Sequence, residues 1–314
     1  MITVIRVAGL TSVQDLGWIG HRSIGLPLGG AMDPDGLRTG NALVGNPDGA
    51  AGLEIAEGEL ALAFRRATAV AVTGVATVRL DGIEVPTSTT LRVADGGRLE
   101  VASAAGGRFI CVAIQGGIDL PPLLGSRSTY LPTKLGGVEG RRLAAEDRFE
   151  CGPAPQGGPP EGTAVPPPLV DEGPIRLARG PQGHLFGDAA FALLAESPYR
   201  IGAKSDRMGT RLEGAPLAIR MTATLPSEAT CLGAIQVPDN GQPIVILRDG
   251  PTVGGYPKIG AIISADLTRF AQLPPRSTVR FAWVSLGQAA DAWRQSVRRI
   301  SGVLAMLRER PKPG

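Results

Sequence analysis

The sequence predicts a mainly β fold with few short helices and one amphipathic helix at the C-terminus. Short apolar runs, each ended by glycine, proline or aspartate, recur along the chain, and this pattern is typical of β-strands. Glycine (44) and proline (27) are frequent among the 314 residues, which favours turns over long helices. The last segment carries apolar residues at alternating spacings of four and three, as one face of a helix requires.

The first half contains most of the predicted strands and one predicted helix. The strands are Ile2–Val7, Leu60–Phe64, Ala69–Thr73, Thr77–Leu80, Ile83–Val85, Leu91–Val93, Arg98–Ala102 and Phe109–Gln115. The pair Asp81-Gly82 is a strong signal for a tight hairpin turn. A helix is predicted to begin at Asp33, whose carboxylate can cap the free amides that follow, and to end near Gly45.

The second half repeats this pattern after a segment rich in proline and glycine. Its predicted strands are Ile175–Ala178, Tyr199–Ile201, Leu217–Ile219, Gly233–Val237, Pro243–Leu247, Ala261–Ile263 and Thr278–Trp283, with a helix around Asp188–Leu194. The predicted helical face near the C-terminus comprises Leu286, Ala290, Trp293, Val297, Ile300, Leu304 and Leu307. The predicted organisation is a β-rich domain (1–150), a linker (151–174), a β-barrel domain (175–285), and a helix with its tail (286–314).

Composition excludes several classes of function. Lys+Arg (32) and Asp+Glu (29) nearly balance, and no basic stripe with interleaved aromatic residues is present, so no nucleic acid partner is predicted. The N-terminus does not resemble a signal peptide, and the apolar runs are too short to span a bilayer, which predicts no membrane association. Three cysteines without a CxxC pattern fit a reducing compartment, and we predict a cytoplasmic location.

The sequence lacks the commonest motifs for nucleotides and metals. It contains no GxxxxGK[ST] run and no GxGxxG after a predicted strand. The two histidines, His21 and His184, cannot form a site with several imidazole ligands, and we predict no metal. Any nucleotide is therefore expected to be held with or by a partner.

Polar residues in glycine-rich segments are the candidates for chemistry. Asp15 and Asp33 each stand near glycines, where a carboxylate can contact a ligand or, equally, cap a turn or helix. The densest run, 233–258, predicts a hairpin followed by a glycine loop that presents Asp249, Tyr256 and Lys258. An acid, a phenol and an amine on one loop can perform acid–base catalysis, although Asp-Gly-Pro is also an ordinary turn.

At these residues the sequence resembles a known family, the C-subunit proteins of 5-oxoprolinase. They are also called KipA-like proteins, biotin-dependent carboxyltransferases or allophanate hydrolase subunit 2. The resemblance runs from Val4 to about Phe281. It is carried by Ser12–Gly17, Gly30–Asp33, Asn41, Leu43–Asn46, Leu53-Glu54, Gly125–Thr129, Ser205–Gly209, Arg211–Gly214, Gly233–Pro238, Gly241–Ile244 and Gly254–Pro257. Residues 248–252 (Arg-Asp-Gly-Pro-Thr) and 227–229 (Ser-Glu-Ala) depart from the usual family pattern.

The resemblance implies cyclophilin-like β-barrel elements and work in a complex. The implied partners are a KipI-like protein and a LamB/YcsF-like protein, which together with the family member open 5-oxoproline to glutamate with ATP. The candidate catalytic residues are Asp249, Lys258 and Tyr256, as the glycine loop predicts. The implied substrate-binding residues are Asn41, Glu54, Arg127, Ser205, Asp206, Arg207 and Gln236.

Two alternatives remain open for the function. The first is a carboxyltransferase component that moves a carboxyl group from biotin to urea or another amide. None of the four lysines lies in a Met-Lys-Met sequence, so the biotin carrier would be another chain. The second is a KipA-like regulatory protein that antagonises a KipI-like kinase inhibitor, for which the C-terminal helix offers a partner-binding face.

Overall fold

The computed structural model describes residues 1–155, 157–166, 173–220 and 225–309. Its contacts divide the chain into two compact units. Unit 1 comprises Met1–Ile19, Gly29–Leu169 and Arg299–Gly314, and unit 2 comprises Gly20–Leu28 and Val170–Arg298. The predicted domain boundaries stay predictions, and residues 156 and 167–172 of the predicted linker lie outside the described residues.

Unit 1 is built on one large antiparallel sheet. Its elements are β1 (Ile2–Gln14), α1 (Pro34–Leu43), β2 (Gly52–Phe64), β3 (Thr68–Thr73), β4 (Ala76–Leu80), β5 (Ile83–Val85), β6 (Leu91–Val93), β7 (Arg98–Ser103), β8 (Phe109–Ile114) and β9 (Arg148–Phe149). The strand order is β5-β4-β7-β2-β8-β3-β6, and β1 pairs with β2 and β9. Every residue of β8 is buried, so this strand is covered on both faces of the sheet.

Two local signals in unit 1 are confirmed. Asp81 and Gly82 both have positive φ angles (+50° and +83°) and connect β4 to β5 in a tight hairpin. Asp33 accepts a hydrogen bond from the Gly36 amide (2.8 Å) and caps α1, with Pro34 at its first position. Both signals depend on residues that are adjacent or nearly adjacent in sequence.

β1 and β2 are both longer than the sequence predicts. β1 continues past Val7 to Gln14, and β2 begins at Gly52 rather than Leu60. Their pairing shifts register between Ala8 and Leu10, where Gly9 adopts a positive φ of +77°. The strands pass through a bulge there, and its glycine interrupts the alternation of apolar residues that marks a strand in the sequence.

Unit 2 contains a second, eight-stranded sheet. Its elements are β10 (Ile175–Arg179), α2 (Asp188–Glu196), β11 (Tyr199–Ile201), β12 (Gly209–Glu213), β13 (Glu228–Ala229), β14 (Ala234–Gln236), β15 (Ile244–Ile246), β16 (Val253–Gly254), β17 (Lys258–Ile262), α3 (Leu267–Ala271), β18 (Thr278–Val279) and β19 (Phe281–Trp283). The strand order is β18-β11-β12-β15-β14-β17-β10-β19, and β13 pairs with β16 in a separate ribbon.

The sheet of unit 2 confirms the predicted hairpin but not one predicted strand. β14 and β15 pair antiparallel, with Ile235 opposite Val245. Leu217–Ile219 forms only an isolated bridge, between Phe186 and Ile219. The amide of Leu217 donates to a loop carbonyl at Gly241 (2.9 Å), so this apolar run is tied to loops instead of a strand ladder.

The predicted fold class is confirmed. Strands include about twice as many residues as helices do, and the two sheets curve into a half-barrel and a near-barrel. A final helix, α4 (Leu286–Arg308), forms over the predicted C-terminal segment. No helix in the described ranges combines the length and the apolar character needed to cross a lipid bilayer.

The end of α4 packs into a core cluster of unit 1. Leu304 and Leu307 are buried, and Ile300 packs against the same cluster. Val303 packs against it as well, and the other members of this core cluster are Ala42, Leu43, Val44, Ala69, Ala71, Ala113 and Val165. Leu286 and Trp293, on the earlier part of the predicted apolar face, are exposed. The last turns of the amphipathic helix therefore pack against the chain's own core.

Leu307→Ala is expected to lower the free energy of unfolding by about 2–3 kcal/mol, because it removes a buried side chain and leaves a cavity. The matched control is Met306→Ala, since Met306 is the exposed neighbour on the same helix turn and should change stability by less than about 0.5 kcal/mol. Urea denaturation of both variants checks this. Equal losses in the two variants would contradict the packing of the helix end.

Candidate functional site

β14 and β17 place two of the predicted site residues side by side. Gln236 and Lys258 are register partners in the antiparallel pair, so their side chains lie on the same face of the sheet. Both side chains are buried. Lys258 is the first residue of β17, whereas the sequence predicts it on a glycine loop. A strand in a sheet holds a side chain more rigidly than a loop does.

The β13–β16 ribbon and a loop after β10 contribute two more polar residues. The Lys258 Nζ donates a hydrogen bond to Glu228 Oε1 at 2.8 Å. The Gln182 Nε2 donates to the same carboxylate oxygen, and Gln182 Oε1 accepts from the Lys258 backbone amide at 2.7 Å. We call Gln182, Glu228, Gln236 and Lys258 the Lys258 cluster. Its ammonium and carboxylate balance, so its net charge is zero.

One donor of the Lys258 cluster is unused. Gln236 is 4% exposed, and its Nε2 has no hydrogen-bond partner among the described residues. A Cβ added at Gly254 would collide with this nitrogen, so the Gln236 amide packs directly against Gly254 and would have to shift for a larger residue. Gly254 is also the register partner of Glu228. A buried amide donor without a partner is costly for folding, which marks a position where a ligand oxygen can bind.

Sequence reasoning gave no role to Glu228 or Gln182. Glu228 lies 30 residues before its partner Lys258, in a two-residue strand that has no alternating pattern. The available signal was the segment 227–229, which stood out as a departure from the family pattern. Gln182 lies in a loop ahead of α2 and carries no signal at all.

Asp249 and Arg207 form a buried ion pair in unit 2. Two hydrogen bonds join the guanidinium to the carboxylate, from Nε to Oδ2 (2.8 Å) and from Nη2 to Oδ1 (3.0 Å). The exposed fractions of the two side chains are 6% for Arg207 and 2% for Asp249. The sequence places Asp249 on an exposed loop, and this expectation is wrong. Its partner stands 42 residues earlier, beyond the range of any local turn signal. The catalytic role of Asp249 stays a prediction.

The remaining predicted residues of unit 2 lie in turns. Asp206 Oδ1 accepts from the amides of Met208 (2.8 Å) and Gly209 (3.1 Å), as in a capped turn. Ser205 Oγ accepts from the amide of Arg211. Tyr256 is 47% exposed and precedes Lys258 by two residues. The assigned roles of Ser205, Asp206 and Tyr256 stay predictions.

Asn41 belongs to unit 1 and fixes the loop after α1. Its Nδ2 donates to the carbonyls of Asp48 (3.2 Å) and Ala50 (2.8 Å). Its Oδ1 accepts from Asn46 Nδ2 at 3.1 Å. Both atoms of the amide are therefore engaged within the protein, which gives this helical asparagine a structural reason.

Glu54 and Arg127 also lie in unit 1. Glu54 is fully buried on β2, and its Oε2 accepts from the Met32 amide at 2.5 Å. Arg127 Nε donates to the Leu120 carbonyl at 2.7 Å. With Asn41, these are the three predicted substrate-binding residues that the structure assigns to unit 1, and the other seven site residues belong to unit 2.

Asp15 is the centre of a polar network in unit 1. Its Oδ1 accepts from the Gly17 amide (2.7 Å) and from the hydroxyls of Ser126 and Ser128 (2.6 Å each). Its Oδ2 accepts from the Arg127 amide at 2.6 Å. The sequence left open whether Asp15 contacts a ligand or caps a turn, and this geometry matches the turn-capping role.

Asp266 is a buried carboxyl group of unit 2 that two arginines contact. Burial alone would raise the pKa of this carboxyl group, but hydrogen bonds from the side chain and backbone of Arg176 and the charge of Arg269 outweigh burial. The Asp266 pKa is therefore lower than its ordinary value. The Arg176 Nη2 lies 2.6 Å from Asp266 Oδ1, which ties the start of β10 to the segment before α3.

The lowered pKa predicts a dependence of stability on pH. A carboxyl group whose pKa is lower in the folded state stabilises the fold above its unfolded pKa, and loses this effect as pH falls through the folded pKa. Asp266→Asn should therefore lower the free energy of unfolding at pH 7, and its deficit relative to wild type should shrink below about pH 4. Urea titrations between about pH 7 and about pH 3 measure this. A deficit that is constant with pH would contradict the electrostatic origin.

Comparison with known proteins agrees with this architecture. The family model for the carboxyltransferase domain, subdomain A and B, matches residues 24–283. The chain is 39% identical to the C subunit of 5-oxoprolinase from Escherichia coli (strain K12) over 306 residues, which covers 97% of this chain and 98% of the relative. The crystal structures of K. lactis urea amidolyase and Kluyveromyces lactis urea carboxylase each superimpose with a TM-score of 0.89 at 28% identity over 96% of this chain.

The extent of these matches differs. This chain spans nearly the whole bacterial relative, but only 20% of the urea amidolyase chain and 29% of the urea carboxylase chain. Because the family model covers most of the sequence and the bacterial relative aligns from end to end, the chain belongs to the carboxyltransferase domain family, subdomain A and B.

Proposed function

We propose that this chain is one component of an ATP-dependent 5-oxoprolinase that opens 5-oxoproline to glutamate. The observation that carries this proposal is the near-full-length, 39% identity to the C subunit of a bacterial 5-oxoprolinase. The chemistry of the Lys258 cluster supports it. The substrate has a carboxylate and a ring amide, and the cluster presents an ammonium and two carboxamides, which can bind oxygens of both groups.

The bacterial relative is named as one subunit among several, which implies other subunits. In the proposal these are the KipI-like and the LamB/YcsF-like proteins, in a cytoplasmic complex. ATP is assigned to a partner or to a site shared with one. The Lys258 cluster does not fit a triphosphate, because it offers a single ammonium, which cannot balance the several negative charges of three phosphate groups.

The proposed division of labour follows from position. Lys258 and Gln236, buried side by side on one sheet face, bind and orient the substrate. Tyr256 is exposed near Lys258, where its phenol can give a proton to the ring nitrogen as the amide bond breaks. Asp249 forms the ion pair with Arg207, and its proposed role is to fix the loops that carry these two residues, which keeps the site in position.

Reconstitution tests the proposed function. The purified chain alone should open no 5-oxoproline, whereas the chain mixed with the two partner proteins should consume 5-oxoproline and ATP together. In the complex, Lys258→Met should lower turnover by about 10²-fold, the usual effect of removing one positioned charged group. Turnover by the lone chain would contradict the requirement for partners. A complex that hydrolyses nothing yet relieves kinase inhibition would favour the regulatory alternative instead.

Carboxyl transfer is the second candidate, favoured by the match to the urea carboxylase structure at a TM-score of 0.89. In that reaction the donor is carboxybiotin carried on another chain, and biotin enters only in this alternative. One assay of the complex distinguishes carboxyl transfer from 5-oxoproline hydrolysis. Sensitivity to avidin with a requirement for bicarbonate supports transfer, and ATP hydrolysis that depends on 5-oxoproline and resists avidin supports the oxoprolinase.

A further inference from the structure

The carboxylate of Glu228 stands where a ligand carboxylate would be expected. One oxygen of Glu228 accepts hydrogen bonds from both the Lys258 ammonium and the Gln182 carboxamide. An ammonium and an amide N–H converging on one carboxylate is an arrangement that proteins use to hold acidic ligands. Here the chain supplies the acid itself.

We propose that Lys258, Gln182 and Gln236 form a binding site for a small carboxylate, and that Glu228 occupies this site as an internal competitor in the unbound chain. An incoming carboxylate displaces Glu228 to solvent and takes its two donors. The choice of L-5-oxoproline as the ligand rests on the proposed function, whereas the site itself rests on the geometry of the Lys258 cluster.

The exposure of the two charged partners makes this exchange feasible. The side chain of Glu228 is 47% exposed and lies on a strand of two residues, both exposed, so its carboxylate can turn into water without crossing the protein core. Ion pairs with an exposed partner contribute little to stability. Lys258 is different, because its side chain is 6% exposed and a buried ammonium without a counter-charge is unfavourable. Release of Glu228 therefore favours entry of another anion.

Gln236 gives the ligand an advantage over Glu228. Its Nε2 is buried beside Gly254 and has no partner in the described part of the chain, although Glu228 already occupies the other donors. A free carboxylate with a second oxygen can accept from this nitrogen as well as from Lys258. The site would then satisfy a buried donor that the internal carboxylate leaves unused.

Calorimetric titration of the full chain with L-5-oxoproline tests the proposal, without partners or ATP. Glu228→Ala removes the competitor and should bind about tenfold more tightly than wild type, because the competent fraction of the site rises. Glu228→Gln should lie between the two. The matched control is Glu213→Gln, an exposed glutamate on β12 of the same unit, which should bind like wild type. L-5-oxoprolinamide, which lacks the carboxylate, should gain nothing from Glu228→Ala.

The proposal is overturned if Glu228→Ala binds L-5-oxoproline no better than wild type, or if the neutral amide gains equally. Gln236→Leu in the Glu228→Ala chain should cancel the gain, with the melting temperature confirming that the variant is folded. Failure of the reconstituted complex to turn over, with the binding pattern intact, would reject the proposed function alone. Turnover without the binding pattern would reject this inference alone.

Discussion

Asp249→Asn is expected to lower the free energy of unfolding by about 3–5 kcal/mol, because it removes the carboxylate charge from a buried ion pair with Arg207. The two side chains are among the most buried charged groups in unit 2. Asparagine keeps the volume of the side chain and one oxygen acceptor, so the loss reports on charge rather than packing. Urea denaturation gives the free energy, and turnover of the complex on the same preparation separates unfolding from a direct effect on activity.

Two further variants make this prediction specific. Asp206→Asn changes an exposed carboxylate that caps a turn nearby in sequence, and should cost less than about 1 kcal/mol. Arg207→Met combined with Asp249→Leu should be less destabilising than Asp249→Asn alone, because both buried charges are removed together. If the double variant were the less stable of the two, the ion pair would not be the source of the effect.

Asp15→Ala is expected to destabilise unit 1 by about 3–5 kcal/mol, since the carboxylate accepts four short hydrogen bonds and its removal leaves buried donors unsatisfied. Two of these donors are backbone amides, of Gly17 and Arg127, which cannot rotate toward another acceptor. Thermal unfolding followed by circular dichroism measures the loss.

Asp119→Ala is the matched control for Asp15→Ala. Asp119 lies in the same unit and pairs with the Arg127 side chain at 3.6 Å, but its side chain is 59% exposed. Exposed ion pairs contribute little, so this variant should lose less than about 1 kcal/mol. Similar losses in both variants would mean that the Asp15 network does not hold the surrounding loops.

The parts of the fold that the sequence predicts correctly depend on neighbouring residues. The Asp33 cap acts on the Gly36 amide three residues away, and the Asp81-Gly82 turn is two adjacent residues. Their physical causes, a free amide and a positive φ, are set locally. The paired strands β1 and β2 were only partly predicted, because the bulge at Gly9 breaks the alternation while the ladder continues through the partner strand.

The candidate site depends on contacts that no local pattern encodes. Gln236 was identified through the family resemblance and Lys258 through the glycine loop, and the sheet register then places them together. The bond from Lys258 to Glu228 joins residues 30 positions apart, and Glu228 lies in a ribbon of two-residue strands that composition does not mark. The burial of Asp249 likewise follows from Arg207, which the topology brings to it. Residue types suggest which side chains could take part in chemistry, but the pairing of the strands and loops determines which of these side chains contact one another.

The division of the chain has a consequence for the order in which the protein can fold during synthesis. Unit 1 begins at Met1 but also includes Arg299–Gly314, and its core cluster contains Leu304 and Leu307. Domains made of one continuous segment can fold as soon as they leave the ribosome. Unit 1 cannot complete this cluster until the last residues of the chain emerge, after all of unit 2 has been translated. A nascent chain stalled before residue 299 would therefore expose the apolar surface that the end of α4 covers.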